Sequence, residues 1–416
     1  MTSKTMTSKN MMRQALQRGL SLVELMIAMV IGLIVMIVVY QMFVVSEGTR
    51  RTSVAGNDAQ MSAAIAIGAL QDTIRNGGYG LTSFDSVYGV APIGCNVLGY
   101  HAGTGAFINF ALTPVTVGQG ADNNAAGIGK DADSITVVYS DLAYPTVPVN
   151  LLAGMTNTTA DLLVTNRFSI NPGDVLVVAD SPARLNPPQG GVAIACALTE
   201  ATATPTNPPG PTILATVRHT LGTYVDNTGQ NRLVRFNGPG GIGASSGNPA
   251  GLLFRTTASV YNLGPNPSVV TFRVQNNQLM RSDLLANTTM ALVDGVVSLQ
   301  AQYGVGLDTV DANGLPGTDG FADVFNPGAG QGAWQTAAPV NPGLVIAVRL
   351  AVLTRGNLME AKDKTTGLCN ATAAASPELV WAGGSFDVTG TVDWDCYRYK
   401  KFEAIVPLRN IIWMPS

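Results

Sequence analysis

The side chains of this sequence with chemistry to offer fall into four groups. Glu24 is the only charged residue between positions 20 and 46. Cys95, Cys196, Cys369 and Cys396 make an even set of thiols. Asp308, Asp311, Asn313, Asp319 and Asp323 crowd one Gly-rich loop. Two strings, Gly243-Ala244-Ser245-Ser246-Gly247 and Gly238-Pro239-Gly240-Gly241-Ile242-Gly243, have the letters of a nucleophile elbow and of a dinucleotide-binding loop.

Each group has a bland reading beside the sharp one. An elbow needs a strand before the serine and a helix after it, and a phosphate loop needs a helix N-terminus behind its glycines. Neither context surrounds these strings, which read as low-complexity loop. The acidic loop is a supply of the hard oxygen ligands that calcium prefers, so calcium is the one cofactor the residues suggest. Its spacing departs from the D-x-[DN]-x-[DN]-G pattern, and acidic turn residues commonly serve local backbone hydrogen bonds instead. No C-x-x-C occurs, and His101 and His219 have no paired spacing with the cysteines, which disfavours zinc. No catalytic constellation emerges, and a non-enzymatic role is expected. Glu24 is different, because an ionisable group inside a membrane segment costs several kcal/mol unless it is paired. Its bland reading is a carboxylate that snorkels to the cytoplasmic interface.

The element that positions Glu24 is the N-terminal apolar run. From 25 to 46 there are 22 residues without a charge, which at ~1.5 Å per helical residue spans the ~30 Å hydrocarbon core of a bilayer. A secretory signal has a shorter run closed by a small-residue cleavage site, and neither holds here. Lys4, Lys9, Arg13 and Arg18 precede the run without an acid, which orients the C-terminal bulk across the membrane. Setting those four aside leaves 20 basic against 27 acidic residues, and an acidic body of this kind argues against a nucleic-acid grip. Charged residues make up only 12% of the 416 while Gly (46) and Pro (23) abound, as in a turn-rich extracellular β protein.

Beyond the membrane run, Val54, Met61, Ile65, Leu70 and Ile74 recur at roughly helical spacing, and Asn76-Gly77-Gly78-Tyr79-Gly80 is a stop. One long helix is expected, apolar all round in its first half and amphipathic in its second, with Gly32 and Gly48 as points of modest bending. Short β-like runs follow at 134–139, 174–178, 192–196, 213–217, 269–274, 296–303, 344–353 and 402–407. An antiparallel sheet packed on the amphipathic half gives an α+β layout. The loops 204–211 and 237–251 read as surface excursions.

The stretch Arg18-Gly19-Leu20-Ser21-Leu22-Val23-Glu24-Leu25-Met26 resembles the processing site of type IV prepilins. The resemblance implies a leader at 1–19, cleavage by a prepilin peptidase between Gly19 and Leu20, and methylation of the new N-terminus. Leu20 stands where Phe is commoner. Glu24 becomes the fifth mature residue, whose carboxylate pairs with the freed α-amine of Leu20 in the same subunit or a neighbour and sets subunit register. Residues 20–46 would be the transmembrane half of the spine helix, 47–78 its amphipathic half, and 79–416 a periplasmic or extracellular β-rich domain. In the C-terminal third, 293–304, 345–355 and 398–413 resemble the ordered blocks of the PilW family, whose fold is pilin-like.

That resemblance implies a minor pilin in pilus assembly or priming, twitching motility and adhesion, single-pass in a bacterial inner membrane before assembly and on the cell surface after it. Implied partners are other minor pilins, the major pilin, the inner-membrane assembly platform and a large tip adhesin. Two further readings share the leader and layout: a minor pseudopilin of a type II secretion system, and a tip module for adhesion or DNA uptake using 80–290. In an oxidising compartment four cysteines predict two disulfides, with three possible pairings. Cys369 with Cys396 closes a short loop, which leaves Cys95 with Cys196.

Overall fold

A computed structural model of the chain describes residues 21–81, 93–122, 132–144, 146–166, 169–180, 195–203, 215–306, 334–336, 345–360, 362–363, 365–369 and 371–412. It is α+β, with a long N-terminal helix, α1 (Leu22–Asn76), ahead of a β-rich domain. The chain divides into two compact units between Ser53 and Val54.

The first unit holds the apolar part of α1, and every residue from 21 to 51 is exposed. The helix runs unbroken through Gly32 and Gly48. Around Gly48, Thr49 and Thr52 turn their hydroxyls back onto the carbonyls of Val45 and Gly48, both at 3.1 Å. This is the usual way a hydroxyl residue satisfies itself inside a helix.

In the second unit, residues 54–76 of α1 dock on two antiparallel sheets. The face that docks is not the one its larger apolar residues suggest. Leu70 and Ile74 are buried as expected, together with Ala55, Ala59, Ala63, Ala66 and Ile67, whereas Val54, Met61 and Ile65 are 41%, 68% and 51% exposed. At 100° per residue these three cluster on the side opposite the alanines. Small side chains win the inner face because the sheet comes very close there. A Cβ added to Gly356 would lie 2.6 Å from that of Ala55, and Thr354 Oγ1 donates to the Ala59 carbonyl at 2.8 Å.

The helix stops where the glycines begin. Gly77 N–H donates to Ile74 O at 2.9 Å, and Gly78, at φ +80°, donates to Val138 O at 2.9 Å. The remaining carbonyls are capped from the far end of the chain. Asn410 in α2 (Arg409–Ile412) donates its amide to Asn76 O and Gly77 O at 3.3 and 3.1 Å.

The first sheet has five strands in the order Thr288–Asp294, Gln278–Asp283, Ser268–Gln275, Ala132–Tyr139, Val115–Asp122. The second has four, in the order Trp334–Gln335, Val296–Val305, Val345–Arg355, Tyr399–Pro407. Both share one core with α1, built on Leu70, Ile74, Ile135, Phe272, Tyr303 and Leu350. Tyr303 ties their edges together, its hydroxyl accepting from Val117 N–H at 2.5 Å. The nearby Asp133 carboxylate accepts from the N–H groups of Gly120 and Ala301 at 2.9 and 2.8 Å.

A third sheet of six strands lies on the far face of the five-stranded one. Its order is Ala106–Ala111, Asn96–His101, Ala195–Glu200, Val175–Ala179, Ser259–Gly264, Val149–Asn150. Val97, Phe110 and Leu198 meet Val138 and Val269 across that interface. The six-stranded sheet contains one parallel pair, Asn96–His101 with Ala195–Glu200. Its outer face is covered by irregular chain, including Ile242 and Phe254. The 237–251 segment is therefore not a surface excursion along its whole length. Asn237, Ile242 and Ala244 are buried, and Gly238 presses so closely on Tyr100 that an added Cβ would lie 2.8 Å from the ring's first atoms. The 204–211 loop lies outside the described residues.

Candidate assembly site

Glu24 sits in the first turn of α1, where its N–H and that of Leu25 both bond to Ser21 O, at 2.9 and 3.1 Å. Its side chain is exposed among exposed apolar neighbours, including Leu22, Val23, Leu25 and Met26. A carboxylate at a helix N-terminus faces the positive end of the helix dipole, which lowers the cost of placing it there. It still needs a counter-charge once water is removed. Gly19 and Leu20, the residues expected to be cut and methylated, lie outside the described residues, as do Asp308, Asp311, Asn313, Asp319 and Asp323. What the arrangement offers is a bare helix long and apolar enough to cross a bilayer, with one carboxylate near its start.

Both disulfides form, and each closes a specific piece of β structure. Cys95–Cys196, 101 residues apart in sequence, braces the parallel pair of the six-stranded sheet, whose strands are joined by a long connection in place of a tight hairpin. Cys369–Cys396 closes the segment that covers the outer face of the four-stranded sheet. There Leu379, Trp381, Phe386 and Val388 pack on Val297, Ala351 and Leu353. Among the described residues one cluster combines thiol and acid groups, Cys369, Asp395 and Cys396, and its two sulfurs are spent on the disulfide.

The remaining candidates resolve into structure. Ser245 of the elbow-like string accepts from Asn248 N–H and exchanges backbone bonds with the same residue, so it closes a tight turn rather than topping a strand. His219 is buried with Nε2 2.8 Å from Ala160 O, and burial holds its pKa below the ordinary imidazole value. His101 accepts from Thr104 N–H at 3.3 Å and meets the Phe236 ring edge-on.

Residues 261–410 match the family model described as Type IV Pilus-assembly protein W. Residues 15–40 match the prokaryotic N-terminal methylation motif, a window that contains Gly19, Leu20 and Glu24. Together the two matches support a type IV prepilin of the PilW family. No curated protein and no solved structure matches it. The PilW match begins in the Ser259–Gly264 strand, takes in three strands of the five-stranded sheet and all four of the other, and ends at the residue that caps α1; the strands Val115–Asp122 and Ala132–Tyr139 lie before it. PilW proteins are structural components of pili, not a known enzyme family. The methylation motif implies processing by prepilin peptidase and assembly with other pilins.

One feature of the PilW-family chain was not legible in advance. The exposed Val54, Met61 and Ile65 form an apolar stripe on the side of α1 away from its own sheets. The signal was present in the sequence, as a second set of apolar positions half a turn from the alanines, but alanine is too small to announce a core face.

Proposed function

We propose that this chain is a minor pilin that primes or joins a retractable type IV fibre and supports twitching motility and adhesion. The observation that carries the reading is the pairing of a methylation motif at 15–40 with a PilW match at 261–410 in one chain. Peptidase cleavage after Gly19 frees the α-amine of Leu20, and the Glu24 carboxylate meets that amine as the helix leaves lipid for a packed fibre. A charge pair made there replaces two charges that would each be costly alone. Before assembly the chain sits in the inner membrane with residues 79–416 on the periplasmic side, and after assembly it is on the cell surface. Its partners are other minor pilins, the major pilin, the assembly platform and a tip adhesin.

Two measurements test this. Intact-mass analysis of the mature chain should give an N-methylated species beginning at Leu20; a start elsewhere contradicts the processing step. A clean deletion should abolish surface piliation and twitching while secretion of exported enzymes continues. Loss of secretion with pili intact would instead make the chain a pseudopilin.

A further inference from the structure

The five-stranded sheet keeps one face on the α1 core, and part of its other face is covered by the six-stranded sheet. The rest of that outer face is the floor of an open trough of about 420 Å³, walled by the Ala106–Ala111 strand and by the turn at 283–288. Along the floor, Thr116, Thr136, Thr271, Ser282 and Thr289 stand opposite one another in register, one hydroxyl from each of the five strands. Their chain neighbours Val115, Val117, Ile135, Val137, Val270 and Phe272 point into the core, so strand alternation turns the hydroxyl row outward. Thr136 and Thr271 bond to each other at 2.8 Å, and Thr289 donates to Ser282 at 3.1 Å. Each bonded pair uses one hydroxyl hydrogen and keeps another, with lone pairs to spare.

Beside the row lies Arg273, two residues from Thr271 on the same strand and face. Its Nε is buried without a hydrogen-bond partner, and it enters no ion pair among the described residues. Asp283, at the trough's edge, is occupied by the N–H groups of Leu285 and Ala286 at 3.2 Å and by Arg281 at 3.8 Å. The guanidinium lines the trough, and its planar fork of donors suits an anion with planar, paired acceptors.

We propose that this trough binds an anionic saccharide, with a carboxylate seated on Arg273 and sugar hydroxyls exchanging hydrogen bonds with the threonine and serine row. The row offers both donors and acceptors, which suits a polyhydroxylated ligand; an apolar ligand would strip those hydroxyls of water without return. One cation is too few for a nucleic-acid backbone. The volume lies within the range of small-ligand sites and accommodates a short saccharide. The inference stands apart from the pilin reading, since the trough's walls and floor join strands inside and outside the PilW match.

The test is calorimetric titration of the full-length chain in detergent micelles with tetragalacturonate, with neutral maltotetraose and with sodium acetate. Tetragalacturonate should bind, and the other two should bind at least about tenfold more weakly. R273Q should weaken tetragalacturonate by roughly tenfold or more, and T271V by roughly threefold, the scale of one charged and one neutral hydrogen bond. Near-UV circular dichroism and intact disulfides establish that each variant is folded, and T289V, at the exposed end of the row, serves if either is not. The proposal is overturned if tetragalacturonate does not bind, if folded R273Q binds it unchanged, or if acetate binds equally well.

Discussion

The layer that carries α1 and the six-stranded sheet above it are both well buried, but they are held by different means. The α1 layer has a large apolar core, with Leu70, Ile74, Ile135, Phe272 and Leu350 at its centre, beside a few buried polar groups such as Asp133 and Thr354. The six-stranded sheet and its covering loops are knitted by buried polar groups. Glu200, fully buried, accepts from the Tyr224 hydroxyl at 2.7 Å and from Arg235 N–H and Nε–H at 2.6 and 3.3 Å. Asn237 bonds Thr199, Glu200 and Thr220 at once. Asp174 accepts from Asn262 Nδ2 at 2.8 Å. Nonpolar packing tolerates exchange of one hydrophobe for another, whereas a satisfied polar network specifies one arrangement and fails when a member is lost. The α1 layer is thus built on the more forgiving principle, and the six-stranded sheet with its covering loops on the less forgiving one.

The contrast is broken most severely at the disulfides. By the chain-entropy relation, a loop of 101 residues is worth about 4.7 kcal/mol and one of 27 about 3.6 kcal/mol. Replacing Cys95 and Cys196 by serine should therefore cost more than replacing Cys369 and Cys396, with hydrogen-exchange protection lost first in the six-stranded sheet. Equal loss of protection in both layers would show that they unfold as one.

Glu200→Ala should cost about 1–3 kcal/mol for each of the two donors it leaves without an acceptor, the Tyr224 hydroxyl and the Arg235 backbone N–H. Leu70→Ala costs about 2–5 kcal/mol for its cavity. The two should differ in place: amide exchange should rise around 195–237 for the first and in α1 and the strands beneath it for the second. Gly356→Ala is a smaller probe of the α1 dock. A methyl group pushed against Ala55 should cost roughly 1–3 kcal/mol by overpacking. A neutral outcome would mean that the helix is not seated on that strand end.

The smallest effect is one of pH. Burial, the largest influence, lowers the pKa of His219, while its bond to Ala160 O and the charge of Asp161 act weakly the other way. The unfolded chain takes up this proton near pH 6.5, before the folded chain does, so stability is full above that pH and falls as the pH drops below it. Melting of the six-stranded region should shift down between pH 7 and pH 5, and His219→Gln should flatten that slope.

Much of this layout can be read from residues alone, and the reasons for success and failure are physical. The helix stop at Gly77 and Gly78 is legible because glycine there does what few residues can. The strands Ala132–Tyr139, Ser268–Gln275, Val296–Val305, Val345–Arg355 and Tyr399–Pro407 overlap their predicted runs because both their periodicity and their apolar content are high. The strands Asn96–His101, Ala106–Ala111 and Gln278–Asp283 are not legible, since Gly99, Asn109 and Arg281 dilute the pattern. The docking face of α1 misleads because a close helix–sheet contact selects alanine over larger hydrophobes. Glu200 and Asn237 give no local sign of burial, since their partners are 17 to 38 residues distant.

In the proposed function, the Glu24 carboxylate is the charge that seats the subunit in the fibre. Glu24→Gln keeps the shape and much of the hydrogen bonding and deletes only that charge. Membrane insertion should survive, because removing a charge from an apolar helix lowers its transfer cost. Cleavage should survive too, because the expected cut lies a full helical turn upstream. Sheared-pilus fractionation with immunoblotting, run beside membrane fractionation of the same cells, separates these steps. The expected result is a mature-length Gln variant in the membrane that is absent or strongly depleted from sheared fibres; the same variant in fibres at wild-type levels would contradict the charge pairing.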